Sequence, residues 1–273
     1  MAYIIDLKQT PKAPPTGSFL YYCYRKLGVN TLSDIMTLEN FQFQVMDTAE
    51  RYAEAAISAQ KLQWWQTEID QIYSNSPSHP IAKSLLPLTD KYQIEGQTLN
   101  QFIQQNQTLL FGQDFENHQA LIDFIDQTYL PIEMIKAKIC LDQKTLDEKT
   151  IAVLAHLTRS NEIIRRIHQL PHHLQRDIHS IPLSDITIIA TEDYKQSIEQ
   201  QTNTACQSLV QLAKKEADIA RTLPQPLSIE KLKPFLIKNN LSLCLLKKLQ
   251  KKNFPVFQTA TALSPIKMLL NSL

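Results

Sequence analysis

The sequence predicts an all-α, single-domain protein, and three observations carry that prediction. Apolar residues recur at helical intervals along most of the chain, while almost nothing alternates with period two. Only four glycines occur, at positions 17, 28, 96 and 112, too few for the tight turns of a hairpin-rich β fold. With 273 residues and 43% apolar side chains, the chain can fill one large core, and no break in composition divides it.

Taken in order, MAYIIDLKQTPKAPPTG places Pro11, Pro14, Pro15 and Gly17 close together, which predicts an extended tail over residues 1–14 before a domain at 15–273. Ser18 is the expected N-cap of a helix from Phe19 to Leu27, with Gly28 as its stop. Thr31 or Ser33 then starts a second helix, which holds Ile35, Leu38, Phe41 and Val45 on one face and carries Glu39. A third helix is expected from about Asp47 to Tyr73. Its Leu62, Trp65, Ile69 and Ile72 follow a 3-4-3 spacing that lines a buried seam, with Lys61, Glu68 and Asp70 on the polar side. Asn75, Ser76, Pro77 and Pro80 supply the turn after it. Further helices are expected over residues 79–92, 97–111, 116–140, 144–169, 185–222, 229–252 and 263–271. The stretch from Asp185 to Arg221 lacks proline and glycine, and Leu223, Pro224 and Pro226 end it.

Composition excludes several function classes. Scarce glycine argues against phosphate-cradling loops and dinucleotide fingerprints. A net charge of +1, from 28 basic and 27 acidic residues, gives no overall field to recruit nucleic acid. Cys23, Cys140, Cys206 and Cys244 are scattered singly, as in a reduced cytoplasmic protein with buried thiols. No apolar run is long enough for a transmembrane helix, which leaves peripheral contact at the inner face of a membrane open.

The segment KLQWWQTEIDQIYSNSPSHP carries Lys61, Leu62, Trp64, Trp65, Glu68, Ile69, His79 and Pro80 in an order and spacing that resembles a signature of the squalene/phytoene synthase family. Leu157–Ile186 resembles that family's second active-site helix and following loop, and Leu245–Leu270 its closing segment, so the resemblance runs from about Gly17 to the C-terminus. It implies an isoprenoid-synthase-like helical bundle around a central cavity. The family's enzymes join two prenyl diphosphates head to head, and magnesium ions held by two D-x-x-x-D motifs on facing helices stabilise the departing pyrophosphate. That spacing suits the task, because it puts both carboxylates of a motif on one helix face as hard oxygen ligands.

Both motifs are degenerate here. The first falls on Met46 and Glu50, counted back from Trp64, and the second on Gln169 and His173, anchored on Pro182. A thioether is a poor magnesium ligand, and glutamine and unprotonated histidine are neutral. Asp177 stands where the family has a small glycine, and Tyr129 and Pro131 replace smaller residues along the prenyl path. Arg159, Arg165, Arg166 and Arg176, together with Tyr129, remain candidates for holding a phosphate-bearing or lipid ligand near the opening, against a plainer reading of the arginines as a solvated basic face balanced by Glu162 and Asp177. An alternative metal site is Asp47, Glu50 and Glu54, which would share one helix face, against a plainer reading as a solvated face. His168 and His172 stand i, i+4 apart with Pro171 between them, and Pro171 is expected to kink or end that helix; His173 and His179 complete a histidine cluster without an evident tetrahedral metal set. Lys231, Lys233, Lys238, Lys247, Lys248, Lys251 and Lys252 make the last long helix cationic, suited either to an anionic membrane or to lysines that simply stay wet.

The resulting expectation is a non-catalytic relative of squalene/phytoene synthases, with no catalytic residue and no cofactor, that binds an isoprenoid or membrane lipid or acts on a protein partner as an assembly factor. The family has such a branch among mitochondrial proteins that help assemble the respiratory NADH dehydrogenase. The alternative is a divergent prenyltransferase that uses Mg2+ at the displaced acidic site.

Overall fold

The computed structural model describes residues 12–51, 54–112, 114–176, 178–182, 194–226, 228–254 and 261–272. Eleven α-helices and two short 3-10 turns make up the regular structure of these residues, with no strand among them. Pro14 is buried, so the expected tail is anchored by its last residue; residues 1–11 lie outside the described part.

α1 (Phe19–Tyr24) begins as expected, with the Ser18 hydroxyl accepting from the Tyr21 amide at 3.1 Å, but it stops at Tyr24. Gly28 is no left-handed stop: its carbonyl accepts the Leu32 amide at 2.8 Å, and α2 (Val29–Arg51) starts there rather than at Thr31 or Ser33. α3 (Ala55–Tyr73) is a separate helix, so the expected continuous run from Asp47 does not form.

Leu62, Trp65, Ile69 and Ile72 are all buried, as the spacing predicts, while Trp64 is 44% exposed. Trp65 packs edge-on to Phe41 of α2 and to His79, with ring centroids 5.8 and 4.8 Å apart. Glu68 departs from the reading as a surface residue. Only 2% exposed, its carboxylate accepts the Ser78 and His79 amides at 3.1 and 2.9 Å and also the Ser78 hydroxyl. His79 then caps α4 (Pro80–Tyr92), its Nδ1 accepting from the Ile81 amide at 3.2 Å, with Pro80 in the first turn where the missing N–H costs nothing. The Trp-Trp, Glu and His-Pro elements of the sequence signature therefore form one structural lock between two helices. Glu68→Gln is expected to cost about 1–3 kcal/mol of stability, the range for a buried hydrogen-bonded charge; an unchanged urea midpoint would remove that role.

α5 (Gly96–Thr108) follows, and Gly96 is required by close approach: a Cβ there would stand 2.7 Å from Cε2 of Tyr73, whose hydroxyl is fixed to the Ile94 carbonyl at 2.6 Å. The helix expected over 116–140 is two, α6 (His118–Thr128) and α7 (Leu130–Leu141), because Pro131 sits in the first turn of a new helix rather than inside an old one. α8 (Glu148–Leu174) is capped by Asp147, which accepts the Thr150 amide at 2.7 Å, and it continues past Pro171 to Leu174, so the expected stop there is overturned. α9 (Tyr194–Thr222) covers the described part of the helix expected from Asp185. α10 (Lys233–Lys251) and α11 (Pro265–Leu270) close the fold. α8 packs most extensively against α9 and α10 and also meets α6 and α7, while α2 packs against α3, α4, α5 and α7.

Candidate functional site

The C-terminal ends of α2 and α8 meet where the resemblance places the two metal-holding motifs. His173 Nε2 lies 3.3 Å from Glu50 Oε1, though not aligned as a hydrogen bond, and Arg165 Nη1 lies 3.9 Å from the same oxygen. Arg165 is the hub. Its Nε donates to Glu162 at 2.6 Å, Nη1 to Gln169, and Nη2 to the Tyr129 hydroxyl at 3.0 Å, while the guanidinium also rests 5.2 Å from the Tyr129 ring centroid. The Tyr129 hydroxyl donates onward to Asn106 Oδ1 at 3.3 Å, and Asn106 Nδ2 donates to the Phe102 carbonyl at 2.7 Å. Met46 packs as a partly buried residue against the core.

Arg166 is 1% exposed, with its guanidinium 4.9, 5.4 and 5.9 Å from the ring centroids of Phe124, Phe115 and Tyr129. Nη1 donates to the Ser180 carbonyl at 2.7 Å, whereas Nε and Nη2, like both ring nitrogens of His173, are buried without a hydrogen-bond partner. Aromatic rings pack edge-on and tilted beside them, Phe102 and Phe124 lying 5.7 and 6.2 Å from Tyr129.

Burial alone would raise the Glu50 carboxyl, but His173 and Arg165 outweigh it and hold it below its ordinary value, as a carboxylate. Burial pushes the His173 imidazole down despite Glu50, which favours the neutral ring, and it likewise disfavours the charged form of Arg166. Arg165 keeps its charge against burial because Glu162, Tyr129 and Glu50 surround it. The Arg165 guanidinium thus stands between the Glu50 and Glu162 carboxylates, which meet its charge from within the protein.

A magnesium cluster does not fit these residues. The one carboxylate at the four motif positions, Glu50, is engaged by His173 and Arg165, and a divalent cation would meet a guanidinium where it needs oxygen. The displaced acidic face of Asp47, Glu50 and Glu54 also does not form: α2 ends at Arg51, and Glu54 stands exposed as the residue before α3. No group of three His, Cys, Asp or Glu side chains arranged for a metal occurs among the described residues. Arg159 points elsewhere, bonded to Asp126 of α6 at 2.8 and 2.6 Å and 3.5 Å from Glu216 of α9. His168 is taken by the Thr261 carbonyl at 2.7 Å and His179 by Asp114, so the histidines do not gather as one ligand set. Asp177 lies outside the described residues. Asn106 belongs to the cluster without having been singled out in the sequence, whereas Glu162 was read there only as a counter-charge to a solvated arginine face. Glu162, three residues before Arg165 on the same helix, was the available signal.

The helical bundle of the described residues, in which α2 and α8 meet through Glu50, Arg165 and His173, has the isoprenoid-synthase class of fold. The squalene/phytoene synthase family model matches residues 16–267, and the chain belongs to that family. Among solved structures, it is similar to a dehydrosqualene synthase (TM-score 0.72, 11% identity, covering 94% of this chain and 91% of that one). It is also similar to the squalene synthase HpnC from Alicyclobacillus acidocaldarius (TM-score 0.63, 12% identity, covering 91% and 92%). Among curated proteins, it resembles NADH dehydrogenase (ubiquinone) complex I assembly factor 6 of Bos taurus, 21% identical over 265 residues that cover 92% of this chain and 77% of that protein. The Homo sapiens protein of the same name is 19% identical with the same coverage.

Proposed function

We propose that this chain is a non-catalytic member of its family that works through a protein partner, as an assembly factor for a respiratory NADH dehydrogenase. The observation that carries the reading is the occupation of the ancestral metal position by the protein's own charges: Arg165 stands against Glu50, Glu162 and Gln169 where the family's enzymes need metal-holding aspartates. Such a cluster ties α2 and α8 to the α6–α7 junction at Tyr129 and commits the charges there to one another rather than to a departing pyrophosphate. The curated relatives, matched over most of their length, are named for assembly of that complex, which supports a protein partner over a small-molecule substrate. No helix of the described residues is long and apolar enough to cross a membrane, so any contact with a membrane-bound complex would come from a surface.

Deleting the gene in its native cell is the test. Incompletely assembled NADH dehydrogenase on native gels is expected, with recovery when the chain is restored. Normal assembly together with loss of an isoprenoid product would overturn the reading.

A further inference from the structure

Residues 231–273 carry eight lysines and no acidic residue, in a chain whose total charge is only +1. The structure separates those lysines by role. Lys238 turns into the core, donating to Glu133 at 2.9 Å, which corrects its reading as a wet surface cation. Lys248 is a pin, its Nζ donating to the Ala262 carbonyl at 2.5 Å. That bond, with the Cys244 Sγ 3.2 Å from Asn271 Oδ1, lays the segment 262–271 along α10. Arg25 Nη2 donates to Ser272 Oγ at 3.3 Å and fastens its far end to α1.

Held this way, α11 is turned the unusual way round. Met268 is its buried contact, while Ile266, Leu269 and Leu270, spaced i, i+3, i+4 as one stripe, are 74%, 39% and 66% exposed. A short amphipathic helix on a soluble core ordinarily buries that stripe. Lys247 and Lys251 on the neighbouring stretch of α10, Lys252 just after its end, and Lys267 within α11 are exposed, and no acidic side chain pairs with these four among the described residues.

We infer that this face docks onto the surface of a bilayer containing anionic phospholipid, with Ile266, Leu269 and Leu270 entering the headgroup region and the lysines lying against the lipid phosphates. The composition of the face selects this occupant. Protein interfaces enrich aromatic residues and arginine and deplete lysine, whereas the exposed side chains named on this face, among the described residues, are lysine and aliphatic. A flexible, hydrated ammonium suits a diffuse and laterally mobile layer of negative charge, and a few aliphatic side chains bind a membrane stably only when a second, electrostatic signal joins them. The six residues of α11 are not an independent anchor; the bonds from Lys248, Cys244 and Arg25 fix their height and aim.

The test is co-sedimentation with phosphatidylcholine vesicles prepared with and without phosphatidylglycerol. Wild type is expected to sediment with the acidic vesicles only, and less as salt is raised. K247E/K251E/K252E is expected to lose affinity roughly 100-fold or more, from three reversed charges. I266S/L269S/L270S should lose it by about tenfold or more, from the apolar surface removed. Exposed positions were chosen so that both variants keep the wild-type circular dichroism spectrum. Equal binding to neutral vesicles, or full binding by either variant, would overturn the inference. So would an absence of sedimentation, which would assign the face to an acidic protein surface instead. None of these outcomes depends on the assembly role.

Discussion

Purified protein mixed with farnesyl or geranylgeranyl diphosphate and millimolar magnesium is expected to release no pyrophosphate beyond the uncatalysed rate. Ionising an allylic diphosphate separates a carbocation from an anion, and the barrier falls only where positive charge is preorganised around the leaving group by metals with hard ligands. Met46, Gln169 and His173 cannot hold such metals, and Glu50, the remaining acid, is committed to His173 and Arg165. Several kcal/mol of transition-state stabilisation are then missing, and each ~1.4 kcal/mol is a tenfold loss of rate. Nor should Met46→Asp, Gln169→Asp and His173→Asp together restore activity. Arg165 would still occupy the metal position, and Tyr129, 1% exposed and packed against Phe102 and Phe124, would still stand beside it. Magnesium-dependent pyrophosphate release that disappears in Glu50→Gln would show instead that this carboxylate holds a working metal.

How much of this was legible in the sequence depends on the range of the interaction involved. The Leu62 to Ile72 seam and the Ser18 cap are local patterns, and they appear in the structure as the spacing predicts. The break between α2 and α3 carries no proline or glycine to announce it, and the break at Tyr129 has a proline that could equally have been placed inside a helix. Motif positions could be counted off, but the hub could not be read. That Arg165 reaches Glu50 depends on how the ends of two helices more than a hundred residues apart come together. Glu68 looked like a surface acid because the three donors that bury it lie beyond the next turn. Charges inside LPIEMIKAKICL were the overlooked signal: apart from Lys138, Glu133 and Lys136 are the charges of a mostly apolar helix, and a charge that is buried must be paired.

That pair supports an ion cluster on which the packing of four helices depends. Lys136, with no exposed surface, donates to Glu39 at 2.7 Å, Gln42 at 2.6 Å and Glu133 at 2.9 Å. Lys238 donates to Glu133 at 2.9 Å and the Tyr24 hydroxyl to Glu39 at 2.5 Å, so α1, α2, α7 and α10 all contribute. Lys136→Met conserves most of the volume but strands Glu39 and Glu133, and it is expected to destabilise the protein by about 3–5 kcal/mol. Burial alone would raise the Glu133 carboxyl from its ordinary 4.5, yet Lys136 and Lys238 pull it down to about 2. A folded carboxyl that is more acidic than the unfolded one adds stability that is complete above about pH 4.5 and drains away as the pH falls toward 2. A displacement of that size corresponds to about 3 kcal/mol. Urea unfolding of wild type should therefore show a midpoint that drops steeply over this interval. Glu133→Gln should be weaker than wild type by about 3 kcal/mol at pH 7, with the difference shrinking as the pH approaches 2. A difference that stays constant from neutral pH down to pH 3 would mean that the Glu133 charge contributes nothing to folding, and that the cluster only fills space.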